Sequence, residues 1–104
     1  AVEMHFVGLN SQLTDAAITV EPGREHLVFI GGVGLDKSKF DVEFNSPYFV
    51  VVPGTVLRQD FGDDVSVVSA LVKINPETPP GAYSIFATSD IGIQASLVGA
   101  IIVK

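Results

Sequence analysis

A strict alternation of apolar and polar side chains marks the segment around residue 42. Phe40, Val42 and Phe44 are apolar, and the acidic residues Asp41 and Glu43 stand between them. A period of two places successive side chains on opposite faces of a pleated strand. We therefore predict a half-buried strand here, with the three apolar side chains inward and the two acidic ones in water.

Short apolar segments of this kind recur along the chain and are separated by turns rich in glycine and proline. Glycine supplies positive φ and proline fixes φ, so these residues end strands at turns. No segment has an apolar stripe with the 3.6-residue period of a helix. The predicted strands are residues 2–7, 16–20, 26–30, 40–45, 48–52, 56–58, 65–74, 82–88 and 93–103.

One of these strands carries a break in its pattern. Between Val65 and Ile74 the apolar residues fall on odd positions up to Val67 and on even positions from Val68 onward. One additional residue near this point restores a common face, which is how a β-bulge appears in a sequence. We therefore predict a bulged strand in this segment.

Composition and strand number together set the fold class. Hydrophobic residues make up 47% of the 104 residues and charged residues 17%, which is enough apolar material for one core. Many short strands with this content predict an all-β protein built as a two-sheet β-sandwich. We expect residues 1–104 to form a single domain.

Two parts of the sequence show a recognisable order of strands and turns. Residues 18–23 read ITVEPG and residues 27–35 read LVFIGGVGL, and residues 72–74, 79–85 and 99–103 continue the pattern in the second half. From residue 18 onward the chain resembles bacterial immunoglobulin-like domains of the IPT/TIG type. The resemblance implies an immunoglobulin-like sandwich of about seven to nine strands. It also implies a non-catalytic structural or interaction module of a bacterial protein that is extracytoplasmic or secreted.

The chain departs from antibody domains because it contains neither cysteine nor tryptophan. Tyr83 stands two residues before Ile85, the position at which an antibody domain carries its second cysteine. The resemblance implies that Tyr83 is buried as a tyrosine corner, with its hydroxyl bonded to the backbone near Pro79. Ile85 would then pack where a half-cystine lies in antibody domains.

Charge and cysteine content exclude several classes of function. The net charge is −6, and the six basic residues are scattered, so the chain lacks the basic patch that nucleic-acid binding needs. No apolar run approaches the length of about 20 residues that a membrane helix needs, so we expect no membrane insertion. Thiolate metal sites and disulfides are excluded by the lack of cysteine. The first residue, Ala1, fits a processed secreted chain or a domain of a longer protein, and both alternatives stay open.

The glycine cluster from Gly31 to Gly34 follows a predicted strand and is considered as a phosphate-binding loop. Such a loop needs a helix N-terminus directly after it, but another strand follows here, so we interpret the cluster as a glycine-rich turn. His5 and His26 are the chain's two histidines and lie on different predicted strands, a spacing that indicates no metal pair. We therefore expect no cofactor and no enzymatic activity.

Two groups of residues are candidates for binding. Asp60, Asp63 and Asp64 cluster around a glycine, and their carboxylates are the ligand type that Ca²⁺ takes, so they form a weak metal-site candidate. Tyr48 and Phe49 form a candidate binding surface, since exposed aromatic side chains stack on sugars or anchor protein partners. The alternative is that Phe49 belongs to the core and Tyr48 to a strand edge.

Function remains open between two classes. An interaction module would bind a protein partner or a neighbouring domain, or form a homodimer, and a carbohydrate-binding accessory module of a secreted enzyme is the alternative. The high hydropathy suggests more apolar surface than one small sandwich hides, and an uncovered apolar surface tends to associate. Residues 48–52 and 101–103 are the segments in which we expect this excess.

Overall fold

The computed structural model of the protein describes residues 2–10, 12–36, 39–62 and 65–104. Within these ranges the chain forms ten strands and no helix. The strands are β1 (Glu3–Leu9), β2 (Gln12–Thr14), β3 (Ile18–Val20), β4 (Glu25–Val33), β5 (Asp41–Phe44), β6 (Phe49–Val51), β7 (Leu57–Asp60), β8 (Ser66–Ile74), β9 (Gly81–Ser89) and β10 (Gly92–Val103). The prediction of an all-β chain is confirmed.

The strands form two sheets that pack against each other. One sheet has six strands in the order β2-β1-β4-β8-β6, with β7 also paired to β8, and the other has four strands in the order β3-β10-β9-β5. The pair of β3 with β10 is parallel, and the other pairs are antiparallel. The two-sheet arrangement agrees with the prediction. Strand β2 lies outside the strands that the sequence predicted.

The core between the sheets follows the predicted alternation. Phe40 and Val42 are buried, and Phe44 packs partly buried against the same core, while Asp41 and Glu43 are exposed. The side chains with the least exposure come from both sheets, so each sheet shields the inner face of the other from water. They are Leu35, Ile85, Ile101, Val20, Val28, Val68, Val72 and Val103.

The predicted bulge in β8 is wrong. Strand β8 pairs with β4 residue by residue, from Glu25–Lys73 to Gly32–Ser66, without a shift in register. The apolar residues change parity because both faces of β8 are covered near its start: Val67 is buried on the face opposite to the core. A strand that is buried on both faces loses the simple alternation of a half-exposed strand.

A bulge is present instead in β1. Met4 pairs with Gly32 and Phe6 with Gly31, which leaves His5 as the additional residue between them. His5 and Phe6 are consequently both exposed. The bulge sends the side chain of Phe6 to the outside of the six-stranded sheet, where a regular alternation from Met4 would have turned it inward.

The glycine cluster is mostly strand, so its interpretation as a turn is corrected. Gly31 and Gly32 belong to β4 and pair with Val67 and Ser66 of β8. Only Gly34 has a positive φ, of 74°. A Cβ atom at Gly32 would lie 1.8 Å from a backbone oxygen of β1. The close approach of the bulged β1 therefore requires glycine there.

An aromatic cluster joins the two sheets where the chain crosses from β5 to β6. The ring of Phe49 lies 5.2 Å from that of Phe44 and 4.9 Å from that of Tyr83, centre to centre. Asn45 holds the crossing in place, since its side-chain oxygen accepts a hydrogen bond of 3.0 Å from the backbone N–H of Ser84. Aromatic pairs at such distances stabilise a fold beyond the area that they bury.

The hydroxyl of Tyr83 donates a hydrogen bond of 2.7 Å to the backbone oxygen of Pro79. This is the bond that the sequence predicted, although Tyr83 is half-buried and not fully enclosed. Ile85, two residues later, is completely buried. Tyr83 thereby fastens the turn before β9 to the first residues of that strand.

We predict that Tyr83→Phe lowers the free energy of unfolding by about 1 kcal/mol, because it removes one hydrogen bond and leaves the ring contact with Phe49 intact. Urea denaturation of both proteins measures the difference. Tyr48→Phe is the matched control, since the hydroxyl of Tyr48 has no bonding partner among the residues that the structure describes. Equal losses in the two variants would contradict the prediction.

Candidate binding surfaces

Tyr48 and Phe49 differ in their exposure to solvent. Phe49, the first residue of β6, is 7% exposed and belongs to the core, as the alternative interpretation of the sequence had it. Tyr48 precedes the strand and is half-buried. Of the two aromatic residues, Tyr48 alone remains accessible to a ligand.

Tyr48 lines a surface groove of about 330 Å³ at one end of the six-stranded sheet. Its walls combine the apolar side chains of Pro47, Val50 and Pro76 with polar and charged groups. Two exposed ion pairs stand at its rim: Arg24 with Glu21 at 3.0 Å, and Lys73 with Glu25 at 3.6 Å. The groove thus places one aromatic ring beside donors and acceptors of hydrogen bonds.

The acidic candidates and the histidines are held by local contacts. Asp60 ends β7, and its Oδ1 accepts a hydrogen bond of 2.9 Å from the N–H of Gly62. Asp63 and Asp64 lie outside the described residues. The described parts of the chain contain no group of three or more His, Asp or Glu that converges as metal ligands do. The Nε2 atom of His26 accepts a hydrogen bond from the N–H of Glu21 at 3.3 Å.

A larger apolar surface lies on the outside of the six-stranded sheet. Leu27 of β4 shares this face with Phe29, and Leu57 of β7 pairs with Ser69 of β8, which in turn pairs with Phe29. We name it the outer apolar face and define it by six side chains that are each between 38% and 62% exposed: Phe6, Leu13, Leu27, Leu57, Phe61 and Val65. Five strands or their ends contribute to it.

In the middle of the outer apolar face, two apolar side chains cover a glycine. A Cβ atom at Gly31 would lie 2.8 Å from Cδ1 of Leu13 and 3.5 Å from Cβ of Phe6, so these two side chains lean across the bare backbone of β4. Next to it, a cleft of about 300 Å³ is lined by apolar groups and the single amide of Gln59. The surface offers contact area and few hydrogen-bonding groups.

Arg58 fixes the direction in which Leu57 points. The guanidinium of Arg58 donates hydrogen bonds to the backbone oxygens of Leu35, at 3.2 Å, and of Phe40, and it lies 4.1 Å from the centre of the Phe40 ring. Adjacent side chains on a strand point to opposite faces. Because Arg58 is held toward the connection between β4 and β5, Leu57 is turned outward and is 54% exposed.

The four-stranded sheet has a different exterior. Its outward residues include Asp41, Glu43, Thr88 and Ser96, and the hydroxyl of Thr88 donates a hydrogen bond of 2.6 Å to the carboxylate of Glu43. The exterior of the four-stranded sheet therefore mixes these polar side chains with the exposed apolar residues Ile93 and Val98 of β10, whereas the outer apolar face draws its side chains from five strands or their ends. This difference marks the apolar face as a candidate binding surface.

The segments that the sequence suggested as excess apolar surface are only partly exposed. Phe49, Ile101 and Val103 belong to the core, whereas Val50 is 52% exposed. The sequence contained a different signal for the outer apolar face, namely the odd-numbered apolar residues Val65 and Val67, which we interpreted as a shift in register. Their common direction becomes visible only when β8 is paired with β4.

Comparisons with known proteins give no relative: no protein-family model, curated protein or solved structure matches the chain. Among the described residues no helix is long and apolar enough to cross a membrane.

We predict that the outer apolar face is dispensable for folding. Leu57→Gln and Phe61→Gln should each change the free energy of unfolding by no more than about 0.5 kcal/mol, since exposed side chains contribute little to the core. Both should lower the fluorescence of a bound hydrophobic dye. Ile93→Gln, equally exposed on the other sheet, is the control and should leave the dye signal unchanged. A large loss of stability in the first two variants would contradict this account.

Proposed function

We propose that the chain is a non-catalytic immunoglobulin-like interaction module of a bacterial extracytoplasmic protein, and that it binds a protein partner through the outer apolar face. Support for the immunoglobulin-like topology comes from the strand order. The constant-type immunoglobulin fold has strands A, B, E and D in one sheet and C, F and G in the other. Strands β1, β4, β8 and β6 fit the first set in that order, and β5, β9 and β10 fit the second.

The corner at Tyr83 gives independent support for this topology. In immunoglobulin-like domains a tyrosine near the start of strand F bonds back to the backbone a few residues upstream. Tyr83 is the third residue of β9, the strand that corresponds to F, and it bonds to Pro79. The completely buried Ile85 takes the position of the second cysteine, which a bacterial module without disulfides replaces by an apolar side chain.

The observation that carries the binding function is the contrast between the two exteriors of the sandwich. Monomeric proteins rarely expose contiguous apolar patches of more than a few hundred Å², and larger patches mark sites of interaction. The outer apolar face joins six large side chains from five strands or their ends, whereas the exposed apolar side chains of the opposite sheet, Ile93 and Val98, lie on β10 alone among exposed polar residues. Its lack of hydrogen-bonding groups favours a protein surface over a polar ligand.

The arrangement of titratable groups supports a non-catalytic role. General acid–base chemistry needs positioned groups within hydrogen-bond reach of a substrate in a cleft. The carboxylate of Glu3 pairs with exposed His5 at 3.3 Å on the outside of β1, and His26 is bonded to the backbone of the turn before β4. Neither histidine lines one of the two grooves described above.

Site-specific photo-crosslinking in cells that express the chain tests this function. A photoreactive phenylalanine analogue replaces Phe61 on the outer apolar face, and in the control it replaces Ile91, which is 85% exposed at the turn between β9 and β10. We expect one defined protein adduct at position 61, identified by mass spectrometry, and none at position 91. Leu57→Glu in the same chain should abolish the adduct, because a charge disfavours the apolar contact.

Equal labelling at both positions, or no adduct at position 61, would overturn the proposed binding function. An adduct with another copy of the chain and an adduct with a different protein both support it. The mass of the adduct and the sequences of its peptides distinguish the two results.

The groove at Tyr48 favours carbohydrate binding as a second candidate function. Sugar recognition combines stacking on an aromatic ring with polar groups that fix orientation, and this groove has both. Titration of a panel of neutral oligosaccharides, followed by NMR, tests it. We expect shifts at the groove that are lost in Tyr48→Ala and retained in Phe61→Ala. A panel that produces no shifts in the unmodified protein would remove this candidate.

A further inference from the structure

We infer that the partner of the outer apolar face is a second copy of the same chain, so that two sandwiches associate through their six-stranded sheets. This inference rests on the proposed binding function and names its partner. The same sheet already packs its inner face against the four-stranded sheet. A sheet whose outer face is also apolar can pack a second sheet there at the usual spacing of about 10 Å.

The available area meets the requirement of a specific dimer. Aromatic side chains offer about 150–250 Å² each, and with leucine and valine at the lower end the six exposed fractions amount to roughly 500 Å² of apolar surface. Two copies that cover this surface on each other bury about 1,000 Å² before the polar rim is counted, which reaches the lower bound for a specific interface. A smaller partner, such as a short peptide, would leave part of the face in water.

The distribution of charge favours self-association through the outer apolar face over association through other parts of the surface. The chain carries a net charge of −6, so two copies repel each other at most orientations. The six side chains of the outer apolar face are uncharged, and at one end of β4 and β8 the exposed Glu25 is compensated by Lys73. Contact through this face therefore leaves the like charges at its edge, among them Asp60 beside Phe61, and salt screens their repulsion.

The shape of the face suits a two-fold symmetric contact. In such a dimer the same patch is used on both copies and must be complementary to itself. The cleft beside Phe29 is lined by Leu13, which also lies with Phe6 over the backbone of Gly31. In a two-fold dimer, a protruding side chain at the edge of each cleft would insert into the cleft of the other copy.

Sedimentation velocity of the full chain over a range of concentrations tests the inference. We expect the mass to rise from that of one chain to twice that value and to stop there, because the two-fold contact is closed. Raising the salt concentration should strengthen the association, since it screens the repulsion between two acidic chains and reinforces apolar contact. Loss of association in high salt would point to a contact held by ion pairs and would overturn the inference.

Two substitutions at one position separate a buried contact from a simple effect of net charge. Phe61→Glu and Phe61→Lys change the net charge in opposite directions, and both place a charge in the interface. We expect both to weaken dimerisation at least tenfold. The control Ile91→Glu adds the same charge at a more exposed apolar residue, in the turn between β9 and β10, and should dimerise as the unmodified chain does. Dimerisation that survives both substitutions at Phe61 would overturn the inference.

The result can be separated from a failure of the proposed function. If the chain remains monomeric at millimolar concentration in high salt but crosslinks through position 61 to a different protein, the proposed function stands and the inference of a dimer is wrong. If the chain remains monomeric and gives no adduct, both the proposed function and the inference of a dimer are wrong. Thermal unfolding of every variant confirms that the measured proteins are folded.

Discussion

The contact between the two sheets is the interaction on which the rest of the structure depends. A sheet of this size cannot leave both faces in water, and here the inner faces of the two sheets bury each other. The completely buried side chains of Val68 in the six-stranded sheet, and of Ile85 and Ile101 in the four-stranded sheet, mark this contact. The turns, the bulge and the corner fix the register in which it forms.

The chain must cross between the sheets without exposing the core, and aromatic side chains cover the core at the crossing from β5 to β6. Phe44, Phe49 and Tyr83 come from three strands, and the ring of Phe49 packs against the other two where β5 passes into β6. Tyr83 also bonds to the turn before its own strand. Tyr83 therefore takes part in packing and also fixes the direction of β9. For this reason we expect its hydroxyl to contribute to stability.

The outer apolar face contributes little to this core and therefore calls for a separate explanation. Exposed apolar side chains weaken solubility, and a fold does not need six of them on one sheet. Several local features keep them in place: the bulge in β1 turns Phe6 outward, the bonds of Arg58 turn Leu57 outward, and Gly31 leaves room for Leu13. The proposed binding to a partner would give these features a common reason.

The sequence by itself determined the local structure, because alternation and turn residues act over a few positions. It predicted the all-β class and the inward and outward sides of β5, and its resemblance to immunoglobulin-like domains implied the bond of Tyr83 to Pro79. Tertiary structure decided the rest. The parity change at Val67 looks the same whether a strand is bulged or buried on two faces, and only pairing with β4 distinguishes them. The outer apolar face likewise arises from strands far apart in the chain, whose side chains share a surface only after the sheet has formed.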